Sequence, residues 1–249
     1  MIEKTPGIVL RTQDYRETHK LVTIFTKKFG KLTAISQGAN KPRSRLSAVS
    51  QLFTYAHFLL YVPKGLATLR QGEILSTFRH IQEDFTRTSY TAYIIELTDK
   101  IIEERKPAPF LFDELIQTVY WINDQEDYHI PLMMYEMKLF EYGGFAPVVD
   151  RCVNCHQKYP FIGFSVQEGG ALCERCASLD PYATPLPPSL WKMLLIFQQV
   201  PLKRIGKVRV KEENIALLRK LFDAYYERYG GYRLKTKKFL DSFDSFDLL

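Results

Sequence analysis

Lys20-Leu-Val-Thr-Ile-Phe-Thr26 and Lys31-Leu-Thr-Ala-Ile-Ser36 flank the short segment Lys27-Lys-Phe-Gly30, and together they read as two strands joined by a tight turn. β-Branched and aromatic residues suit a pleated, half-buried surface, and a glycine at the turn supplies backbone freedom that other residues lack. The same pattern recurs on either side. Gly7-Ile-Val-Leu-Arg11 precedes the pair; Tyr55-Ala-His-Phe-Leu-Leu-Tyr-Val62 and Ala67-Thr-Leu-Arg-Gln71 follow it, with an extension through Ile74-Leu75. Gly38-Ala-Asn-Lys-Pro42 and Pro63-Lys-Gly65 are the intervening turn signals. About five short strands within residues 1–80 fit a small closed barrel better than a sandwich, which needs more strands. The expectation is a five-stranded barrel of the oligonucleotide/oligosaccharide-binding (OB) type.

Beyond residue 81 the period lengthens. Tyr90, Tyr93, Ile94, Leu97, Ile101 and Ile102 recur at helical spacing on a segment that should end near Arg105, before Pro107. Further helices are predicted over 110–123, over 131–142 ending at Gly143-Gly144, from Pro187-Pro188, and over 212–229 ending at Gly230-Gly231. Their Met and aromatic stripes are core-forming faces. The fold class is therefore α+β and multidomain: a barrel over 1–80, then an α-helical domain over 81–249 with a cysteine-bearing insertion at about 150–180.

All four cysteines fall in that insertion, as Cys152-Val-Asn-Cys155 and Cys173-Glu-Arg-Cys176. The spacing C-x2-C-x17-C-x2-C lets two tight turns aim four sulfurs at one point, as a tetrahedral Zn²⁺ site requires. Two disulfides would demand an oxidising compartment. Four protein ligands leave no open coordination position, so one Zn²⁺ here is expected to be structural. His156, next to Cys155, reads as a surface residue.

The 249 residues are 46% hydrophobic and 25% charged, an ordinary globular composition, with a net charge of +6. That charge is segregated: +9 over residues 1–80, −9 over 81–150 and +6 over 151–249. A basic barrel invites a polyanion. No apolar run approaches the roughly 18–20 residues of a membrane span, and the first residues build no secretory signal; a cytoplasmic protein with no membrane partner is expected. There is no phosphate-binding loop, no dinucleotide fingerprint and no HExxH pair. Nothing in the chain asks for an enzyme.

Two stretches are candidate phosphate contacts. One is the turn carrying Lys27, Lys28 and Lys31; the other is the loop Lys41-Pro-Arg43-Ser-Arg45 after the third strand. Arg11, Arg16, Lys20 and Arg70 extend the same field. Tyr15, Phe25, Phe53 and Tyr55 are available either for base stacking or for packing. A second basic group comprises Lys203, Arg204, Lys207, Arg209 and Lys211, with Arg233, Lys235, Lys237 and Lys238 further on.

Gly7-Ile-Val-Leu-Arg-Thr-Gln-Asp-Tyr-Arg-Glu17, the run Phe25-Thr26, Gly30, Gly38-Ala39, and the four-cysteine insert follow one another in an order that resembles the RecO family of bacterial DNA repair proteins over nearly the full length. The resemblance implies a nucleoid-associated recombination mediator that is not an enzyme. It would bind single- and double-stranded DNA, anneal complementary strands without ATP, and with RecR help load RecA onto DNA coated by single-strand-binding protein. It also implies contact with the acidic C-terminal tail of that coating protein. An RNA-binding OB/zinc-ribbon protein is the alternative that the residues alone leave open.

Overall fold

The computed structural model describes residues 2–206 and 209–244. β1 (Ile2–Tyr15), β2 (His19–Thr26), β3 (Gly30–Ser36), β4 (Tyr55–Tyr61) and β5 (Ala67–Ser76) close into a barrel in the order β1-β2-β3-β5-β4. Every pairing is antiparallel except β3 with β5, which run parallel from Ala34↔Ala67 to Ser36↔Leu69. The fold is the OB-type barrel that the strand pattern anticipates. Alternate residues point inward, and Val22, Ile24, Leu32, Ala34, Phe58, Leu60 and Leu69 build its core.

β1 is much longer than Gly7–Arg11 because it serves two neighbours. Its first half pairs with β4, from Ile2↔Tyr61 to Ile8↔Tyr55, and its second half with β2, from Gly7↔Thr26 to Tyr15↔His19. One strand spanning both partners closes the barrel and leaves no exposed edge. A five-residue helix, α1 (Arg45–Val49), sits between β3 and β4. Ser44 caps it by accepting the Leu46 N–H at 3.2 Å. Arg45, read from sequence as the end of a loop, therefore opens a helix.

The remaining elements are α2 (Arg79–Glu83), α3 (Phe85–Ile101), α4 (Pro109–Asp124), α5 (His129–Tyr142), the hairpin β6 (Gly163–Ser165) with β7 (Gly170–Leu172), α6 (Pro188–Gln199), α7 (Glu212–Tyr229) and α8 (Lys235–Asp244). By internal contacts the chain forms two compact units. One takes in residues up to Asp127 and those from Leu234 onward; the other is Tyr128–Arg233.

In the first unit, α3 stops at Ile101 rather than near Arg105. The Arg105 N–H bonds the Lys31 carbonyl at 2.7 Å and Glu104 bridges Lys31, so residues 103–106 run beside β3 instead of continuing the helix. Arg105 adopts φ +60°, incompatible with a helical turn. Its guanidinium donates to the carbonyls of Pro63 and Gly65, pinning the β4–β5 loop.

In the second unit, α5 is the central helix. Its residues from Ile130 to Phe140 are all buried, so the Met133, Met137 and Phe140 stripe is only part of a helix covered on every side. Glu136 and Lys138 share that burial because each is satisfied. Glu136 accepts two bonds from Arg219 of α7, at 2.7 and 3.0 Å. Lys138 donates to the carbonyls of Phe197 and Val200 at 2.8 Å each, groups that the end of α6 leaves without helical partners. Among the described residues, no helix is long and apolar enough to cross a membrane.

Candidate metal centre and nucleic-acid interface

The short hairpin β6–β7 brings the two cysteine pairs together. In each pair a backbone turn folds the chain tightly: the His156 N–H bonds the Cys152 carbonyl and the Cys176 N–H bonds the Cys173 carbonyl, both at 3.0 Å. The four Sγ atoms all lie within 4.8 Å of one another, and none is in a disulfide. Sulfurs about 2.3 Å from a central ion would stand about 3.8 Å apart, so the spread suits a tetrahedral metal. Cys152, Cys173 and Cys176 are buried and Cys155 is half-buried.

The thiols are also electrostatically differentiated. Burial works against ionisation of Cys152, but N–H groups of Cys155, Cys173 and Asn154 aimed at its sulfur outweigh this and bring it down to about 6. Burial pushes Cys173 up to about 11, helped by hydrogen bonds with the neighbouring thiols. Backbone donors thus favour the thiolate at Cys152, within a group of four sulfurs close enough to hold a metal ion. His156 is exposed and stands outside the cluster, as its sequence context suggested. Four sulfurs would fill every position of a tetrahedral metal site by themselves, which suits a structural role rather than hydrolysis.

The six candidate cations of the barrel separate into two groups. Lys27 pairs with Asp113 at 2.8 Å, Lys28 with Glu3 at 2.7 Å and Lys31 with Asp99 at 3.4 Å. Lys31 is also enclosed, with 15% of its side chain exposed. Lys41, Arg43 and Arg45 are exposed and form no ion pair among the described residues. Successive turns present them: the Lys41 N–H bonds the Gly38 carbonyl at 3.0 Å and the Ser44 N–H the Lys41 carbonyl at 3.2 Å, with Arg43 at φ +59°.

The aromatic residues follow packing. Phe25 is fully buried against Phe112 of α4, with ring centroids 5.5 Å apart, and Phe53 is buried as well. Tyr55 lies between Phe112 and Tyr120, and burial raises its hydroxyl pKa, aided by Tyr120 and Asp113. Tyr15 is half-buried beneath the Arg16 guanidinium. Lys207 and the side chain of Lys238 lie outside the described residues.

Residues 1–78 match the family model for the Recombination protein O N terminal, and residues 82–238 match that for the Recombination protein O C terminal. The chain belongs to the RecO family. A protein named DNA repair protein RecO from Oceanobacillus iheyensis is 47% identical over 246 residues, which cover 99% of this chain and 95% of the relative. Proteins of the same name from Bacillus mycoides and Bacillus cytotoxicus are 44% and 43% identical over 248 residues, spanning the whole of each chain.

On this RecO-family barrel the structure adds residues that sequence reasoning passed over. Lys4 and His57 join Arg45 and Arg70 around a groove of about 420 Å³. Their outward, every-second-residue placement on β1 and β4 was readable from the alternation. Which barrel face the helices leave open was not.

Proposed function

We propose that this protein is a recombination mediator. It binds single- and double-stranded DNA, anneals complementary strands without ATP, and with RecR helps load RecA onto DNA coated by single-strand-binding protein, whose acidic tail it contacts. It works in the cytoplasm at the nucleoid and is not an enzyme. Residues 1–80 are the DNA-binding barrel and residues 81–249 the helical domain. The observation that carries this reading is the group of exposed cations Lys41, Arg43 and Arg45, which form no ion pair among the described residues, on the segment between β3 and β4 of a RecO-family chain. Cations placed on the phosphates of two strands lower their mutual repulsion, which favours annealing without nucleotide hydrolysis. Lys27, Lys28 and Lys31 would take part only by exchanging carboxylate partners for phosphate.

Cys152, Cys155, Cys173 and Cys176 would hold one Zn²⁺, since soft thiolate donors in a tetrahedral set favour that ion. Bound there, it would stabilise the thiolates and tie the two knuckles together. Metal analysis of the purified protein should find one zinc per chain. Chelation under reducing conditions should open residues 150–180 to proteolysis.

Annealing of two complementary labelled oligonucleotides, coated beforehand with the cognate single-strand-binding protein and supplied without ATP, tests the mediator reading. Faster annealing than with coating protein alone is expected. No acceleration by folded, zinc-loaded protein, together with tighter binding to a matched RNA oligonucleotide, would refute it.

A further inference from the structure

Five-stranded OB barrels hold oligonucleotides on the outer face of β2 and β3. In this protein that face is covered. Thr23 and Phe25 alternate with the core residues Val22 and Ile24, so they point outward, yet both are buried. Phe112 of α4 meets Phe25, and Asp99 of α3 lies 3.6 Å from Arg11 and 3.4 Å from Lys31. A strand of nucleic acid on that face would have to displace two helices and an ion-pair network.

The outer face of β1, β4 and β5 is open instead. Along β4, His57, Leu59 and Tyr61 project outward at every second position, alternating with the buried Phe58 and Leu60. Lys4 stands opposite Leu59 from β1, and Gln71 stands opposite it from β5. The β4–β5 register then slips, for Leu60 faces Leu69 while Leu59 faces Gln71. Arg70 is the extra residue of this bulge, a device that re-aims a side chain. Gly72 completes the wall: a Cβ there would come within 2.9 Å of Val49, so only glycine lets α1 lie this close to β5. α1 in turn supplies Arg45. The groove contains one carboxylate, Glu73, which is engaged with Lys4 at 2.8 Å. Arg45 and Arg70 form no ion pair among the described residues.

We propose that this groove, with the outward β4 row that runs on past it to Tyr61, is the track of a nucleic-acid single strand, with bases lying on His57, Leu59 and Tyr61 and phosphates on Arg45 and Arg70. The proposal rests on the reading of the barrel as a DNA-binding module and gives that module its strand-selective surface. Outward residues two apart on a strand are about 6.6 Å apart, a row of separate platforms flanked by charge. A duplex keeps its bases stacked on one another and can use only the cations. The outward β4 row, with its two rings at His57 and Tyr61, should therefore matter for single strands alone.

The test uses the full chain, a fluorescent 30-nucleotide oligothymidine and a duplex of equal length, with affinity read by anisotropy. Tyr61→Ala and His57→Ala should each weaken single-strand binding about tenfold and leave duplex binding within about twofold, while Tyr61→Phe retains affinity. Arg70→Ala should weaken both and flatten the single-strand salt dependence by about 0.7. Photocrosslinks from 5-iodouracil should map to the peptide carrying Tyr61. Tyr61 and Arg70 are exposed, so an unchanged unfolding midpoint certifies those variants. If the unaltered protein binds the oligonucleotide and the aromatic variants match it, or lose single strand and duplex alike, the platform is refuted and the DNA-binding reading stands. If the unaltered protein binds neither, both fall.

Discussion

The sorting of the six barrel cations makes a quantitative prediction about salt. Each cation that contacts a single strand adds about 0.7 to the slope of log affinity against log salt. Replacing Lys41, Arg43 and Arg45 together by glutamine removes three charges that form no ion pair among the described residues. The slope should therefore fall by about 2.1 if all three touch phosphate. Between about 50 and 200 mM salt, a fourfold change, the ratio of unaltered to variant affinity should then shrink about 18-fold. Glutamine at Lys27, Lys28 and Lys31 should behave differently. Those ammonium groups already face Asp113, Glu3 and Asp99 and hold few counterions to release. Their loss exposes three carboxylates, which weakens binding at every salt concentration but changes the slope by less than about 0.7. Anisotropy titrations at four or more salt concentrations give both slopes. Equal slopes for the unaltered protein and the 41/43/45 variant, or a larger change in the 27/28/31 variant, would refute the reasoning.

Three more predictions concern side chains held by packing or hydrogen bonds. Phe25→Ala removes a ring packed on Phe112 and should cost about 3–5 kcal/mol in chemical denaturation, with oligonucleotide affinity of the folded protein unchanged; a selective loss of affinity would make Phe25 a stacking residue after all. Glu136→Ala removes one of the two carboxylates that Arg219 bonds and leaves it Asp223 at 2.8 Å, so it should destabilise the Tyr128–Arg233 unit by about 1–3 kcal/mol, whereas a shift under about 1 kcal/mol would mean the pair contributes little. For Glu96, burial favours the neutral form, but bonds from the Thr236 hydroxyl and the N–H groups of Thr236 and Lys235, with Lys100 nearby, hold its carboxyl below the ordinary 4.5. A depressed carboxyl stabilises the fold above its unfolded value and loses that contribution as pH falls through its folded value. Amide protection at the start of α8, corrected for intrinsic exchange, should thus decline below about pH 4.5, and Glu96→Gln should remove that dependence.

What the sequence disclosed follows from what is local. Lys20–Thr26 and Lys31–Ser36 form strands because their own side chains and the turn between them suffice. The two cysteine knuckles are legible for the same reason. The end of α3 was not, because it depends on Arg105 bonding to Lys31, a partner on another element. Nor could the chain announce that Lys31 would be neutralised by Asp99 while Arg45 would form no ion pair among the described residues: both are basic residues of the barrel segment, and the docking of α3 separates them. The burial of Glu136 and Lys138 is equally tertiary. Each is tolerated because α6 or α7 brings its partner, and neither partner is near in sequence.

The attachment of α8 to Glu96 also shapes how the protein is made. The bonded groups Glu96 and Thr236 are 140 residues apart. A ribosome adding about 5–20 residues per second separates their appearance by about 7–28 s. During that interval the nascent barrel and its first helices are exposed without their last helix, while the intervening residues, including all four cysteines, emerge and can collect metal. The final helix thus arrives as a closing stitch on a unit begun at the other end of the chain.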